Sequence, residues 1–284
     1  MRSVSTFSLV ARDPATGDLG VVTASKFLAV GAVVPYAVAG HVAVATQSYA
    51  NTAFGPMADA LLRQGVAPER IRDAFAAADP DHPLRQYGIV AADGAAVSFT
   101  GDGCHPWAGG RSGDGWAAQG NLLTGPEVID ALVATFETTE GDLAGRLLAA
   151  LAAGDRAGGD ARGRQAAALL VMRPGGGYGG DDRLVDLRVD DHVDPVPRLA
   201  ELLDLHRLYF GEVDEGALLP LEGEVATRAL TALIAAGRLP QGHAAWDDAA
   251  EAALRGWAGV ENLEERFRGP GRIDPLVLQR LTGD

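Results

Sequence analysis

Apolar and polar positions alternate with a period of two over the first third of the chain and recur at helical spacing further on. The segment "TFSLVARD" (6–13) alternates and runs into "PATGD", where Gly17 can supply a positive φ for a turn. With "LGVVTASK" (19–26), "AVVPYAVAG" (32–40) and "HVAVATQSYA" (41–50), joined at Gly31 and Gly40, the pattern predicts four consecutive strands. Strands this apolar must be covered on both faces or nearly so. The next stretch carries Met57, Leu61 and Leu62, then Ile71, Ala74 and Phe75, at helical spacing, and Gly65 and Pro68 separate the two predicted helices.

Residues 86–101 read as a hairpin through Asp93-Gly94. Residues 101–120 read as a loop rich in Gly and Trp. Helices are predicted at 126–138 and about 141–153, and strands at about 165–172 and 183–190. Because the early strands come as hairpins with no helix between them, the pattern points to an α+β sandwich, sheet against sheet with helices outside, rather than a doubly wound fold. Past residue 211 the strand pattern stops. Short helices bounded by Gly237, Pro240, Gly269, Pro270 and Gly271 predict a small all-α domain. The expected division is 1–207 and 208–284.

Composition narrows the function classes. Of 284 residues, 47% are apolar and 22% charged, so a folded core is expected, and a net charge of −14 leaves no basic footprint. Neither nucleic acid nor a membrane surface is expected as a partner. The single cysteine, Cys104, has no internal disulfide partner, and no Cys/His spacing suggests structural zinc. The opening residues lack a secretory apolar run, and nothing approaches the roughly 18 apolar residues of a membrane span, so the expected location is the cytoplasm. No cofactor or metal is called for.

Of 24 Lys plus Arg, one is lysine: Lys26. Where every other generic cation is arginine, a retained ammonium suggests either chance or a need for a compact charge that can trade a proton.

The run "TFSLVARDPATGDLGVVTASKFLAVGAVVPYAVAGHVAVATQSYAN", with "CHPWAG", "AQGNLLTGPEV", "GGDARGRQAAALLV" and "VDLRVDDHVDPV", resembles the Ntn-hydrolase-like proteins of domain-of-unknown-function family 1028. The resemblance covers residues 6 to about 207 and implies a four-layer αββα sandwich like that of proteasome β subunits and penicillin acylases. The segments "LRGWAGVENLEERF" and "GRIDPLVLQRL" are similar to a small helical peptidoglycan-binding module; a plain helical appendage that packs or dimerises is the other reading.

Ntn chemistry implies one N-terminal Thr, Ser or Cys whose side chain attacks an amide carbonyl while its own α-amine takes the proton. The matching position is Thr6, which "MRSVS" precedes here, and an internal threonine has no basic nitrogen. In that setting Lys26, closing the strand antiparallel to the one that begins at Thr6, is expected to tune the nucleophile. The end of the fourth strand, with Gln47, Ser48, Tyr49 and Asn51, is expected to line the cleft. Gln47 and Ser48 are the oxyanion candidates there, against a turn-and-cap role for Ser48 or Asn51. Asn121 reads either as an oxyanion donor or as a helix cap.

Alternation would send Arg162 and Arg164 to one side as a carboxylate clamp; a local salt bridge to Asp160 is the alternative. Cys104 and His105 point opposite ways on an extended chain, so no dyad is expected, but His105, Trp107 and Trp116 can wall a pocket. Asp190, His192 and Asp194 at alternating spacing could converge, as metal ligands do, or simply decorate an exposed strand end.

Together these features point to an amidohydrolase acting on a small amide or peptide-like substrate through Thr6, in a chain expected to form a homo-oligomer. The alternatives are a non-catalytic binding or assembly protein on the same fold, and a cell-wall-associated role through the C-terminal module.

Overall fold

Strand β1 (Thr6–Arg12) separates Thr6, Ser8 and Val10 from Phe7, Leu9 and Ala11, and both rows are buried. A strand buried on both faces has to lie inside a layered structure, and the computed structural model, which describes residues 6–283, shows how. β1 is flanked by β2 (Leu19–Ser25) and β8 (Trp116–Asn121), with Thr6 opposite both Ser25 and Asn121. The sheet continues through β7 (Gly109–Gly113) on one side and through β9 (Ala166–Met172) and β10 (Arg183–Val189) on the other, in the order β10-β9-β2-β1-β8-β7. A second sheet, β3-β4-β5-β6, is built from β3 (Pro35–Val38), β4 (Val42–Ser48), β5 (Arg85–Ala91) and β6 (Ala96–Thr100). All these pairings are antiparallel.

The two sheets meet through an apolar layer that includes Val10, Val21, Ala43, Ala45, Val90 and Ala117. Outside the four-stranded sheet lie α1 (Phe54–Arg63) and α2 (Pro68–Ala78), whose apolar stripes follow the predicted spacing. Phe54 stacks on Phe75 with ring centroids 3.9 Å apart, and both meet Tyr87 of β5 edge-on. Outside the six-stranded sheet lie α3 (Glu127–Thr138) and α4 (Leu143–Arg156). α4 comes close because Gly20 of β2 has no side chain; a Cβ there would sit 2.6 Å from Leu147. The result is a four-layer αββα sandwich.

The chain divides into two compact units, one ending at Leu202 and the other beginning at Leu203, within α5 (Pro195–Phe210). The second unit holds α6 (Gly223–Ala235), α7 (Asp248–Val260) and α8 (Pro275–Thr282) around a core that includes Leu230, Leu233, Leu254 and Trp257. Asp247 and Asp274 cap α7 and α8 by accepting from the backbone amides of Ala250 and Leu276. The buried Arg266 donates to Asp274 at 2.7 Å and, through Nη1, to the carbonyls of Arg207, Leu208 and Gly211. Among the described residues no helix is long and apolar enough to cross a membrane.

Three expectations about local structure are corrected. Residues 101–120 are not simply a loop, for they contain the hairpin β7–β8. Its glycines have low strand propensity, but they admit neighbours that a side chain would block: a Cβ on Gly110 would lie 2.3 Å from Ser98 Oγ, and one on Gly120 2.4 Å from Leu123. The strand expected over 32–40 shortens to β3, since Val30–Ala32 form a 3₁₀ turn entered through Ala29 at φ 53°. The helical unit also contains one short antiparallel pairing, β11 (Leu219–Pro220) with β12 (Arg272–Ile273), too brief to show as alternation.

Replacing Asp274 by alanine leaves the Arg266 guanidinium buried and without its carboxylate. The expected cost is about 3–5 kcal/mol, and denaturant unfolding of the full chain should show it as an early transition for the helical unit.

Candidate active site

Inward-facing positions of the sandwich change character along the strands. Val10, Ala45, Val90 and Ala117 are apolar, but towards the start of β1 their places are taken by Thr6 and Ser8 (β1), Gln47 (β4), Gln86 (β5), and Gln119 and Asn121 (β8). All six are fully buried, at 0% exposure. Primary amides removed from water at this depth must find partners within the protein.

Most find them in one another, although Gln119 Oε1 and Asn121 Oδ1 are buried with no hydrogen-bond partner among the described residues. Ser8 Oγ donates to Gln47 Oε1 at 2.6 Å, and Gln119 Nε2 donates to Ser8 Oγ at 2.6 Å. Gln47 Nε2 reaches the Thr6 carbonyl at 3.0 Å and Gln86 Oε1 at 2.8 Å. Asn121 Nδ2 also donates to Gln86 Oε1, at 2.8 Å, while Gln86 Nε2 reaches Gly120 O at 2.7 Å and Thr100 Oγ1 at 2.9 Å. The network therefore ties both sheets together around the main chain of Thr6. Gln119 fits only because residue 88 is glycine: a Cβ there would lie 2.2 Å from Gln119 Oε1.

A second polar group lies on the other face of β4 and β5. Ser48 ends β4 in the left-handed region (φ 64°), which turns the chain out of the sheet, and it pairs with Arg85. Arg85, buried to 4% exposure, donates to both oxygens of Asp79, Nε to Oδ2 at 2.9 Å and Nη2 to Oδ1 at 3.2 Å, and to the Tyr49 carbonyl at 2.6 Å. The Arg85 hydrogen bond is the main reason the Asp79 carboxyl is held at about 2, below its ordinary 3.8; burial opposes the shift and Asn51 Nδ2 adds to it. Cys104 is half-buried. Burial pushes its thiol up, partly offset by the Ser48 hydroxyl beside it.

The predicted site residues separate into those that converge and those that do not. Thr6, Gln47 and Asn121 lie in one hydrogen-bonded layer. Asn121 is the last residue of β8 and not a helix cap, since α3 begins at Glu127. Ser48 lies outside that layer because its parity on β4 is opposite to that of Gln47. Asn51 is committed on both sides, its amide donating to Asp79 and its oxygen accepting from Ala53 N in a turn before α1; it is not the cap, since α1 has no side-chain cap. Tyr49 and His105 do meet, with hydroxyl and Nε2 3.5 Å apart, while Trp107 rests against Gly109.

Two of the proposed roles are corrected, that of Lys26 and that of Arg162 with Arg164. Lys26 lies just past β2, exposed; its ammonium donates to the Arg164 carbonyl at 3.0 Å, and its backbone N–H to Asp160. It is therefore not an enclosed cation. Arg162 and Arg164 form no clamp, because β9 starts only at Ala166 and strand alternation does not reach them. Arg162 pairs with the buried Asp160 at 2.8 Å, and Arg164 with Asp155 at 2.8 Å and Asp194 at 3.3 Å. Asp190, His192 and Asp194 likewise lie beyond the end of β10, and His192 Nδ1 accepts the Asp194 backbone N–H. Residues 1–5, on which the exposure of a Thr6 amine turns, lie outside the described residues.

A two-sheet sandwich with helices on both outer faces is a four-layer αββα, Ntn-hydrolase-like fold, and here the first residue of its central strand is set among buried amide groups. The chain belongs to the "Family of unknown function (DUF1028)", whose model matches residues 6–199. Residues 209–281 match a second model, described as "Putative peptidoglycan binding domain". Among solved structures, a Silicibacter pomeroyi protein of the same family is similar over 72% of this chain and 89% of its own length, at 30% identity and TM-score 0.65. Anbu (ancestral beta-subunit) from Yersinia bercovieri gives 14% identity and TM-score 0.26 over 58% of this chain and 79% of its own, too slight to bear on the fold. No curated protein matches.

Sequence reasoning missed Ser8, Gln86 and Gln119, which complete the layer. The usable signal was parity: counting by two from Val10, Val90 and Ala117 reaches each of them.

The packing of Gln119 against residue 88 makes Gly88→Ala costly. It should destabilise the protein by about 1–3 kcal/mol, by driving a methyl group into Gln119, read as a lowered denaturant midpoint. Asp79, with its folded-state pKa below the unfolded value, contributes stability that is fully present above about pH 4 and is lost as pH falls towards about 2. Asp79→Asn should flatten the acid limb of the stability profile over that window, while wild type loses stability steeply there.

Proposed function

We propose that the chain is a latent amide-bond hydrolase of the Ntn type, acting on a small amide or peptide-like substrate, with Thr6 as nucleophile once the Ser5–Thr6 bond is cut. The observation that carries the reading is the location of Thr6, fully buried at the head of the central strand, facing side-chain amides, with Gln47 Nε2 3.0 Å from its carbonyl. Cleavage would convert the non-basic Thr6 amide nitrogen into an α-amine of pKa near 7.7–8, able to take the hydroxyl proton. Threonine Oγ would then attack the substrate carbonyl carbon, the amine nitrogen would leave with a proton, and water would hydrolyse the resulting ester. Gln47, whose amide nitrogen lies 3.0 Å from the Thr6 carbonyl, and Asn121, opposite Thr6 in register, are the candidate donors for negative charge there. Lys26, exposed and bonded to Arg164 O, has no part in this scheme.

A second reading is a ligand-binding or assembly protein that keeps the fold without the chemistry. What favours it is that the donors of Ser8, Gln47 and Gln86 are already engaged within the layer. In either case the peptidoglycan-binding-like unit agrees with a peptide-bearing ligand, the cell wall being one source.

Intact-mass spectrometry of freshly purified protein separates the two. The hydrolase reading expects a species that begins at Thr6, and Thr6→Ala should lose amidase activity by on the order of 10⁴-fold. Quantitative retention of "MRSVS" excludes N-terminal nucleophile catalysis and leaves the binding reading.

A further inference from the structure

The six-stranded sheet has two strands more than the four-stranded sheet, and β10 is its edge strand next to β9. Its residues paired with the inward row of β9 are Arg183, opposite Met172, Asp186, opposite Leu170, and Arg188, opposite Ala168. Directly opposed residues share a face, so all three charged side chains lie on the side that is apolar elsewhere between the sheets, where Leu170 lies in line with Val21 and Val10. Together with Tyr36 of β3 they rim a cavity of about 240 Å³ whose walls include Leu170 and Met172.

The two guanidiniums here are weakly committed. Arg183 has its carboxylate, Asp186, at 3.9 Å and Arg188 has Asp190 at 4.0 Å, against 2.6 Å for Arg173–Asp18 and 2.7 Å for Arg266–Asp274. Arg188 is nevertheless held in place, because its stem crosses Gly31: a Cβ at that glycine would lie 2.7 Å from Arg188 Cδ and 2.6 Å from Ala168 Cβ. A side chain at residue 31 would displace the arginine.

We infer that this cavity is a binding site for a single carboxylate next to an amide and an apolar side chain, the chemistry shared by a peptide C-terminus and an N-acylated amino acid. Arg188 and Arg183 receive the carboxylate, guanidinium forks being suited to paired N–H···O bonds. Asp186, between them in sequence, accepts from the amide N–H and repels a second carboxylate. Leu170 and Met172 receive the apolar group. The site is separate from Thr6: in sheet register it lies four residues along the strands and two strands across, roughly 13 Å and 10 Å. It does not depend on catalysis at Thr6.

Isothermal titration of the full chain with N-acetylleucine and with N-acetylleucinamide tests this. The carboxylate should bind one to one, the amide at least about tenfold more weakly, and Arg188→Gln and Arg183→Gln should each cost at least about tenfold in affinity. Arg183 is 63% exposed, so its variant keeps the fold even if the Arg188 variant does not. No saturable binding up to about 10 mM, equal binding of the amide, or affinity unchanged in the Arg183 variant would overturn the assignment. The charges would then serve only to keep an edge strand from pairing with other chains.

Discussion

A primary amide sealed between two sheets has two N–H donors and an acceptor to satisfy, and no water to do it. Gln86 meets this demand at the centre of the sandwich. Its oxygen accepts from Gln47 on the neighbouring strand and from Asn121 on the opposite sheet, and its nitrogen reaches Gly120 O and Thr100. Sheet register, the strand character of β8, the glycine at 88 and the setting of Thr6 all answer to that arrangement. A one-residue slip of β5 would turn Gln86 towards the helices and place Arg85 or Tyr87 in the layer.

The layer also explains why Thr6 is so firmly held. Its carbonyl is bound to Gln47, its strand neighbours are Ser25 and Asn121, and Phe7, next in the chain, packs under α4 against Gly154. Rigid, desolvated surroundings favour a preorganised nucleophile, and they equally favour a stable, chemically silent core. On the hydrolase reading proposed above, the difference between the two is one covalent bond, the one before Thr6. The polar group around Arg85 and Asp79 is of another kind: a buried ion pair that fixes the turn from β4 into α1, with Asn51 as its third member.

Much of the sandwich was legible because it is local. The alternation of β1, β2, β4 and β5, the stripes of α1 to α4, and Asp93-Gly94 each report on a few neighbouring residues. Thr6, Gln47 and Asn121 were found among the candidates, the first through family resemblance, Gln47 as a polar residue at a strand end, and Asn121 as an asparagine expected just before a helix. Arg162 and Arg164 misled because alternation was extended past the end of β9, where the chain no longer has a period of two. The hairpin β7–β8 was hidden because its glycines make poor strands alone; pairing with β1 and close packing with Ser98 and Leu123 make it one.

Hydrophobic period and turn chemistry act over a few residues, so the class of fold, the two-part organisation and the parity of the strands that alternate could be read from the chain alone. Three things came only with the folded molecule: which polar residues share a layer, that Lys26 is exposed on Arg164 while Arg85 is buried with Asp79, and that β10 is the edge of the six-stranded sheet. Those outcomes depend on which strands lie opposite each other. That is set by long-range pairing, and no single segment encodes it.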